Sequence, residues 1–160
     1  MRPERLLAAT LLLLLAGCGF QLRGSAAWPE TLSPLALGGP ELRLDLAREL
    51  RPALARAGAR VVDGGGSATA LLEVVAFDEA RRLLASAAGS DLREYQLTLS
   101  LRYRLLRDGQ QAAAGALAAS RDYLHDPADV TGALAEERRL RETLLRELSD
   151  ALVRRLAANG

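Results

Sequence analysis

Eleven consecutive residues, Tyr95 to Leu105, alternate strictly between apolar or aromatic side chains and polar ones. Side chains on a β-strand point alternately to the two faces of a sheet, so this pattern predicts a long strand with one buried and one polar face. Asp108-Gly109 follows and favours a tight hairpin turn, because both residues tolerate positive φ. We therefore predict a return strand from about Gln111 to Tyr123, although its many alanines favour a helix on propensity alone.

Three shorter apolar stretches predict further strands. They lie at Leu35–Leu37, at Val61-Val62 and at Leu71–Phe77, and the last could continue through Leu84. Gly38-Gly39-Pro40 closes the first stretch as a turn.

The first helix is predicted between Glu41 and Ala57. Leucine recurs there at every fourth position, which stacks the side chains of Leu42, Leu46, Leu50 and Leu54 on one helix face. Gly58 is a natural C-terminal stop. Pro52 lacks the amide hydrogen that a helix interior needs, so we expect it to kink or split this helix.

The second helix is predicted from just past Gly132 to about Ala158. Its apolar stripe consists of Leu140, Leu144, Leu148, Leu152 and Leu156. Three acidic residues each precede an arginine by four positions, a spacing worth roughly 0.2–0.5 kcal/mol per pair on a helix surface. The pairs are Glu137–Arg141, Glu142–Arg146 and Asp150–Arg154. We interpret this charged surface as a solvated helix face rather than a specific binding surface.

Taken in order, these elements predict an α+β fold, with two helices packed on one face of a roughly four-stranded mixed sheet. We assign residues 35–160 to this single α/β domain. Residues 18–34 show no periodicity and are predicted to form an extended tether. The second sheet face is polar along the central strand, so we expect it to meet water or a wet partner surface.

The N-terminus has the three parts of a lipoprotein signal peptide. Arg2 and Arg5 form a basic start, and the apolar run that follows, of about eleven residues, is too short to span a bilayer as a helix. Leu15-Ala16-Gly17-Cys18 then places small residues before a cysteine, as a lipoprotein signal peptidase requires. We therefore predict that residues 1–17 are cleaved and that Cys18 carries a diacylglycerol and an N-acyl chain.

Cys18 is the only cysteine, so no internal disulfide can form. Gly19 follows it in place of an aspartate, which by the sorting rule of enteric bacteria predicts the outer membrane, with the acyl chains anchoring the protein on its periplasmic side. Removing the signal peptide takes Arg2, Arg5 and Glu4 from 21 basic and 20 acidic residues and leaves 19 of each. This balance argues against binding to nucleic acid.

No combination of residues points to an enzyme or to a metal site. His125 is the only histidine, and no serine motif or second cysteine completes a triad with its neighbour Asp126, so we interpret it as an exposed turn residue. No cluster of His, Cys and carboxylate residues has metal-ligand spacing. We predict no catalytic residue, no metal and no cofactor apart from the acyl chains on Cys18.

Three segments together resemble the LPS-assembly lipoprotein family LptE. Residues 15–23 are similar to the family's opening, which is a lipobox, Cys-Gly, an aromatic residue and Leu-Arg. Residues 94–109 resemble its Glu-Tyr-Gln strand and the hairpin that follows. The third match is Ser120-Arg121-Asp122-Tyr123 with Asp126-Pro127, before a leucine helix that ends in Arg154-Arg155-Leu156. The order and spacing of these segments cover most of the chain.

The resemblance implies that the protein plugs and helps assemble an outer-membrane β-barrel of the LptD type, and that it assists delivery of lipopolysaccharide to the outer leaflet. It also implies that basic residues near the strand ends bind lipopolysaccharide, and arginine suits phosphate because it presents planar paired donors. The candidates are Arg81, Arg82, Arg102 and Arg104. The alternative interpretation is that these are solvated strand arginines without a ligand.

The chain departs from the better-known members in ways that bear on direct lipid binding. It contains no lysine, it has Glu136 and Glu137 where a basic residue is expected before the last helix, and it lacks a long polar tail beyond that helix. One alternative function is a periplasm-facing lipoprotein that carries a lipid or acyl chain independently, which requires a large cavity between helices and sheet. A second is an envelope hydrolase whose activity depends on His125.

Overall fold

Each long periodic stretch of the sequence forms one continuous element. The computed structural model describes residues 28–86 and 92–159. The strands are β1 (Leu35–Gly38), β2 (Val61–Val62), β3 (Ala70–Ser86), β4 (Arg93–Arg107) and β5 (Gln110–His125). The helices are α1 (Leu44–Arg56) and α2 (Val130–Asn159), and short 3₁₀ turns lie at Glu30–Leu32 and Gly65–Ser67.

The five strands form one mixed sheet in the order β2-β1-β3-β4-β5. β1 runs parallel to both β2 and β3, whereas β3, β4 and β5 form an antiparallel meander. The predicted α+β architecture with two helices is confirmed, and the sheet has five strands where roughly four were expected. β3 and β4 are therefore central strands, and β5 lies at one edge.

The predicted hairpin is confirmed. Asp108 and Gly109 both have positive φ, at 52° and 76°, as a tight turn between two strands requires. β5 is a strand in spite of its alanines, because it pairs with β4 along almost its whole length and this tertiary pairing outweighs its helix propensity.

Both helices lie on the sheet face that presents the apolar half of β4. Leu97, Leu99 and Leu101 are at most 1% exposed there. They share one core with leucines of both helices, and each fully buried leucine contributes about 1.5–3 kcal/mol of transfer free energy. The helical leucines with no more than 1% exposure are Leu46, Leu50, Leu54, Leu144, Leu148 and Leu152.

The predicted start of the first helix is corrected, and the predicted split at Pro52 is excluded. α1 begins at Leu44, so Leu42 lies before the helix and packs only partly buried against the core. Pro52 lies inside α1 without splitting it, since the helix is continuous from Leu44 to Arg56.

Several charged residues of α2 pair with residues of other elements. None of the three expected i,i+4 ion pairs is formed in the described part of the chain. Arg141 instead pairs with Glu79 of β3, and Asp150 pairs with Arg56 of α1. The interpretation of a solvated helix face is therefore wrong for these side chains, which join α2 to the rest of the fold. It holds for the exposed residues of the run, which are Glu142, Arg146 and Arg154.

The segment before β1 also departs from the sequence analysis. Residues 28–34 were assigned to an extended tether, but Trp28 is 8% exposed and Leu32 is 1% exposed, and both belong to the core. The packed domain therefore also includes Trp28 and Leu32.

Candidate functional site

The sheet face opposite the helices is the first candidate surface. We call it the open face; along β3 it carries Glu73, Ala76, Asp78, Ala80 and Arg82, which lie opposite Arg104, Arg102, Ser100, Thr98 and Gln96 of β4. On β5 it carries Ala114, Ala116, Ala118, Ser120 and Asp122. These residues are small, polar or charged, and no described helix or strand packs over them. The prediction that this face is polar along the central strand is confirmed for β4.

The four candidate arginines do not form one cluster. Val75 is an extra residue in β3, and the register shift that it causes reverses which side chains face the helices. Arg82 therefore lies on the open face together with Arg102 and Arg104, while Arg81 lies opposite Leu97 on the helix side. Three of the candidates can act together, and the fourth belongs to a different surface.

Two of the three arginines on the open face already have partners. Arg104 donates to the carboxylate of Glu73, with its Nη2 2.6 Å from Oε2. Arg82 donates to Oε1 of Gln96 at 3.3 Å, and the amide of Gln96 donates in turn to Asp122 at 2.9 Å.

Arg102 differs from its two neighbours. It is exposed, and no carboxylate of the described residues lies within ion-pair distance of its guanidinium. Its neighbours across the strands are Ala76 and Ala116, whose small side chains leave the guanidinium accessible. Two acidic residues of β3, Asp78 and Glu73, lie one residue pair away on either side of Arg102 on this face.

Arg81 belongs to an aromatic cluster on the helix side of the sheet. Its guanidinium lies 4.8 Å from the centre of the Tyr95 ring, within range of a cation–π contact, and 3.4 Å from Glu137 of α2. Tyr95 stacks on Tyr123, with the ring centres 6.0 Å apart. The hydroxyl of Tyr123 donates to Oε2 of Glu137 at 3.0 Å.

The electrostatics of this cluster follow from its burial and hydrogen bonds. Burial, together with the hydrogen bond to Glu137, raises the pKa of the Tyr123 hydroxyl. The interaction with Tyr123 raises the pKa of Arg81, and the negative charge of Glu137 acts in the same direction. Arg81 is therefore a fixed cation, but one that is already engaged by the protein.

His125 is the last residue of β5 and not an exposed turn residue. Its ring meets Tyr95 edge-on, with the ring centres 5.7 Å apart, and its Nδ1 atom is buried without a hydrogen-bond partner among the described residues. This placement corrects the sequence-based interpretation of His125.

Exposed apolar side chains concentrate where the β3–β4 hairpin, the end of β5 and the start of α2 meet. We call this region the hairpin end. Six of the seven large apolar side chains that are exposed in the described chain lie there. They are Leu83, Leu84, Leu92, Leu124, Val130 and Leu134. The hairpin end therefore combines an apolar surface with the nearby Arg81 cluster.

The predicted lipidation site, Cys18, lies outside the described residues, as do residues 15–23, which carry part of the family resemblance. Within residues 28–86 and 92–159, no three His, Asp or Glu side chains are placed to hold a metal ion together. None of the helices in these ranges combines the length and apolar character that crossing a membrane would require.

Most of the chain matches one known protein family. A model of the family described as "LptE: Lipopolysaccharide-assembly" matches residues 27–156, which include every strand of the described chain and nearly all of α2. The chain belongs to the LptE family. Membership in LptE confirms the resemblance seen in the sequence and supports a role in lipopolysaccharide assembly and a location in the cell envelope.

Two relatives from the LptE family show how far the likeness extends. The LPS-assembly lipoprotein LptE of Pectobacterium atrosepticum is 27% identical over 145 residues, which are 90% of this chain and 79% of that protein. The LptE of Photorhabdus laumondii is 23% identical over 151 residues, with coverage of 94% and 83%.

Solved structures agree on the fold. A minor lipoprotein from Acinetobacter baumannii superposes with a TM-score of 0.65 at 25% identity, over 78% of this chain and 90% of that one. Lipoprotein B from Nitrosomonas europaea gives a TM-score of 0.69 at 21% identity, over 88% and 91% of the two chains. At 21% identity, the second comparison supports the fold only and not a function.

The cluster around Tyr95, Tyr123 and Glu137 was not predicted from the sequence. Both tyrosines were visible in the predicted strands, but their pairing depends on the exact register of the hairpin. The sequence predicted an ion pair between Glu137 and Arg141 within α2. No local pattern indicates that Glu137 instead contacts Arg81 of β3 and Tyr123 of β5.

Proposed function

We propose that this chain is an outer-membrane lipoprotein that plugs and helps assemble an LptD-type β-barrel and assists delivery of lipopolysaccharide to the outer leaflet. The main support for this proposal is the open face. It spans β3 to β5 and is polar along β4. Four of its charged side chains, Glu73, Arg82, Arg104 and Asp122, form hydrogen bonds within the face. The interior of a large outer-membrane barrel is polar and wet, and such a surface can line it without losing hydration.

The proposed lipid anchor on Cys18 lies close in sequence to the packed domain. Nine residues, 19–27, separate Cys18 from Trp28, which is already packed in the core. Fully extended, the chain from Cys18 to Trp28 spans at most about 35 Å. Acyl chains on Cys18 would therefore hold the domain close to the periplasmic surface of the outer membrane.

We also propose that the protein binds lipopolysaccharide directly. The four candidate arginines differ in whether they already have a hydrogen-bond or ion-pair partner. Arg104 and Arg82 would have to leave existing partners to bind a phosphate, and Arg81 would have to leave Glu137. Arg102 has no described partner to give up. We therefore place Arg102 first among Arg81, Arg82, Arg102 and Arg104 as a phosphate ligand.

The structure offers less support for an independent lipid carrier. A carrier needs an apolar cavity between helices and sheet, but the leucines of β4 and α2 that meet there are almost fully buried against one another. Three grooves among the described residues are open to solvent and lie elsewhere, around Trp28 and Arg60, along Leu134 and Arg138, and at the Asp108 turn. We also propose that the protein has no enzymatic activity.

Gentle detergent extraction of the tagged, full-length protein from its native envelope tests the plug. Sizing and mass spectrometry of the extract should give a roughly one-to-one complex with one large β-barrel. Recovery of the protein alone, with bound lipid, would contradict the plug and favour the carrier.

A matched pair of variants tests whether the open face meets the barrel. Ser100→Trp places a large side chain in the middle of this face, whereas Ala55→Trp adds the same side chain on the exposed surface of α1. We expect Ser100→Trp to reduce the yield of the complex more strongly, while both variants fold. Equal yields would argue that the open face does not contact the barrel wall.

A further inference from the structure

β5 is an edge strand with one unused pairing edge. It is 16 residues long, its ladder to β4 uses one edge, and no described strand pairs with the other. In an antiparallel pair, alternate residues direct both N–H and C=O away from the partner strand. A long edge of this kind can add another strand, so folded proteins usually protect it.

Two arginine side chains mark the unused edge. Arg155, near the end of α2, donates from Nη1 to the carbonyl oxygen of Ala116 at 3.0 Å. Arg121 donates from Nη1 to the carbonyl oxygen of Ser120 at 3.1 Å and forms an ion pair with Glu147 of α2. Charged side chains from α2 and from β5 itself therefore occupy two edge carbonyls.

The rest of this edge has little other protection. From Gly109 to Ser120 the chain contains no charged residue and no proline, and the side chains of Ala114, Ala116 and Ala118 are small and exposed. Ala114 and Ala118 are in phase with Ala116, so their backbone groups point to the same edge. Two copies of this stretch can pair antiparallel about a twofold axis without placing like charges opposite each other within it.

We infer that the outer edge of β5 is a strand-pairing surface for a second copy of this chain, and that Arg155 and Arg121 keep it closed. Each guanidinium donates a hydrogen bond to a carbonyl oxygen that a pairing strand would need. Each also places a positive charge at the edge, which would repel the same charge on a second copy. Removing both arginines should open the edge and produce a dimer. Neither a barrel partner nor lipopolysaccharide is needed for this behaviour.

Sedimentation velocity on the purified mature lipoprotein tests the inference, in detergent with micelles in excess over protein. We expect the wild type to be monomeric and Arg121→Ala/Arg155→Ala to dimerise, with an association constant raised about tenfold or more by the loss of two side-chain caps. Arg154→Ala is the matched control, because Arg154 is exposed and adjacent but contacts no edge carbonyl in the described chain.

A third substitution separates strand pairing from other association. Ala116→Pro removes an N–H that points away from β4, so it should leave the β4–β5 ladder intact and abolish dimerisation of the double variant. Far-UV circular dichroism checks that each variant is folded, and Arg155→Ala alone keeps the contact between Arg121 and Glu147 if the double variant is unstable. The inference fails if the arginine variants remain as monomeric as Arg154→Ala, or if association survives Ala116→Pro.

Discussion

The Nε atom of Arg141 in α2 donates to Oε2 of Glu79 in β3 across 2.7 Å. The same guanidinium also pairs with Asp45 at the start of α1, so one side chain joins both helices to the sheet. Arg141 is only 23% exposed, which limits the screening of these contacts by water.

Arg141→Ala should lower the free energy of unfolding by about 1–3 kcal/mol, because it leaves two partly buried carboxylates without their shared donor. Urea denaturation of the two proteins measures the difference. Arg139→Ala is the control, since Arg139 pairs only with Glu136 on the exposed surface of the same helix, and its urea midpoint should stay close to that of the wild type. Equal effects of the two substitutions would show that the network does not stabilise the fold.

Asp45 makes the same network depend on pH. Burial alone would raise the pKa of Asp45, but hydrogen bonds from Arg141 and from the N–H of Leu46 outweigh it and hold the pKa below its ordinary value of 3.8. A carboxyl whose pKa is lower in the folded state stabilises the protein above its unfolded pKa and loses this effect as the pH falls through the folded pKa.

The stability difference between wild type and Asp45→Asn should therefore be constant near neutral pH and shrink as the pH falls below 3.8. Thermal unfolding of both proteins across this pH range measures it. A difference that grows toward acid would reverse the sign and contradict the assignment.

Gly39 sits in a position that no other residue fits. Its φ is +108°, and a Cβ atom added to it would lie 2.4 Å from the carbonyl oxygen of Val74. Gly39→Ala should cost about 3 kcal/mol or more, from backbone strain and a clash with main chain that cannot move aside. Gly64→Ala is the matched control, because Gly64 also has positive φ, at +82°, but has open space around it. Its cost should be about 1–2 kcal/mol, the backbone strain alone.

Cys18→Ala should give an unprocessed or mislocalised precursor, because the sulfur that accepts the diacylglycerol is gone. Mass spectrometry of the N-terminus and fractionation of the envelope measure processing and location. Correct cleavage of this variant with wild-type retention in the membrane would refute the predicted lipid anchor.

The β4–β5 hairpin was predictable because the sequence pattern that specifies it is local. Alternation fixes the faces of β4 between Tyr95 and Leu105, and Asp108-Gly109 fixes the turn. Regular pairing from this turn would place Asp122 opposite Tyr95, whereas Ala112 is an extra residue in β5 that shifts the partner to Tyr123. A one-residue bulge has no signal in an alanine-rich strand, so the stacked tyrosines could not be predicted.

The grouping of the candidate arginines also depends on a bulge that has no sequence signal. The types of residue and their strands were predictable, but the extra residue Val75 decides that Arg82 and not Arg81 shares a face with Arg102. Two of the three ion pairs predicted within α2 are replaced, because Glu137 pairs with Arg81 of β3 and Asp150 pairs with Arg56 of α1. Contacts between distant elements depend on packing that no local pattern records.

Gly115 faces the helices directly opposite Tyr103, and a Cβ atom added to it would lie 3.0 Å from the tyrosine ring. Tyr103 is 3% exposed, so its ring has little room to move. Gly115→Ala should therefore cost about 1–3 kcal/mol by overpacking. Ala114→Val, the neighbouring change on the open face, should alter stability little, because a β-branched side chain suits an exposed strand position.

A double-mutant cycle separates the clash from other causes. If the ring of Tyr103 is the obstacle, Gly115→Ala should cost less in a Tyr103→Leu background, and the coupling between the two sites should be about 0.5–3 kcal/mol. Urea denaturation of the four proteins gives this coupling. Additive effects would mean that glycine is required at position 115 for the backbone of β5 and not for the side chain that it faces.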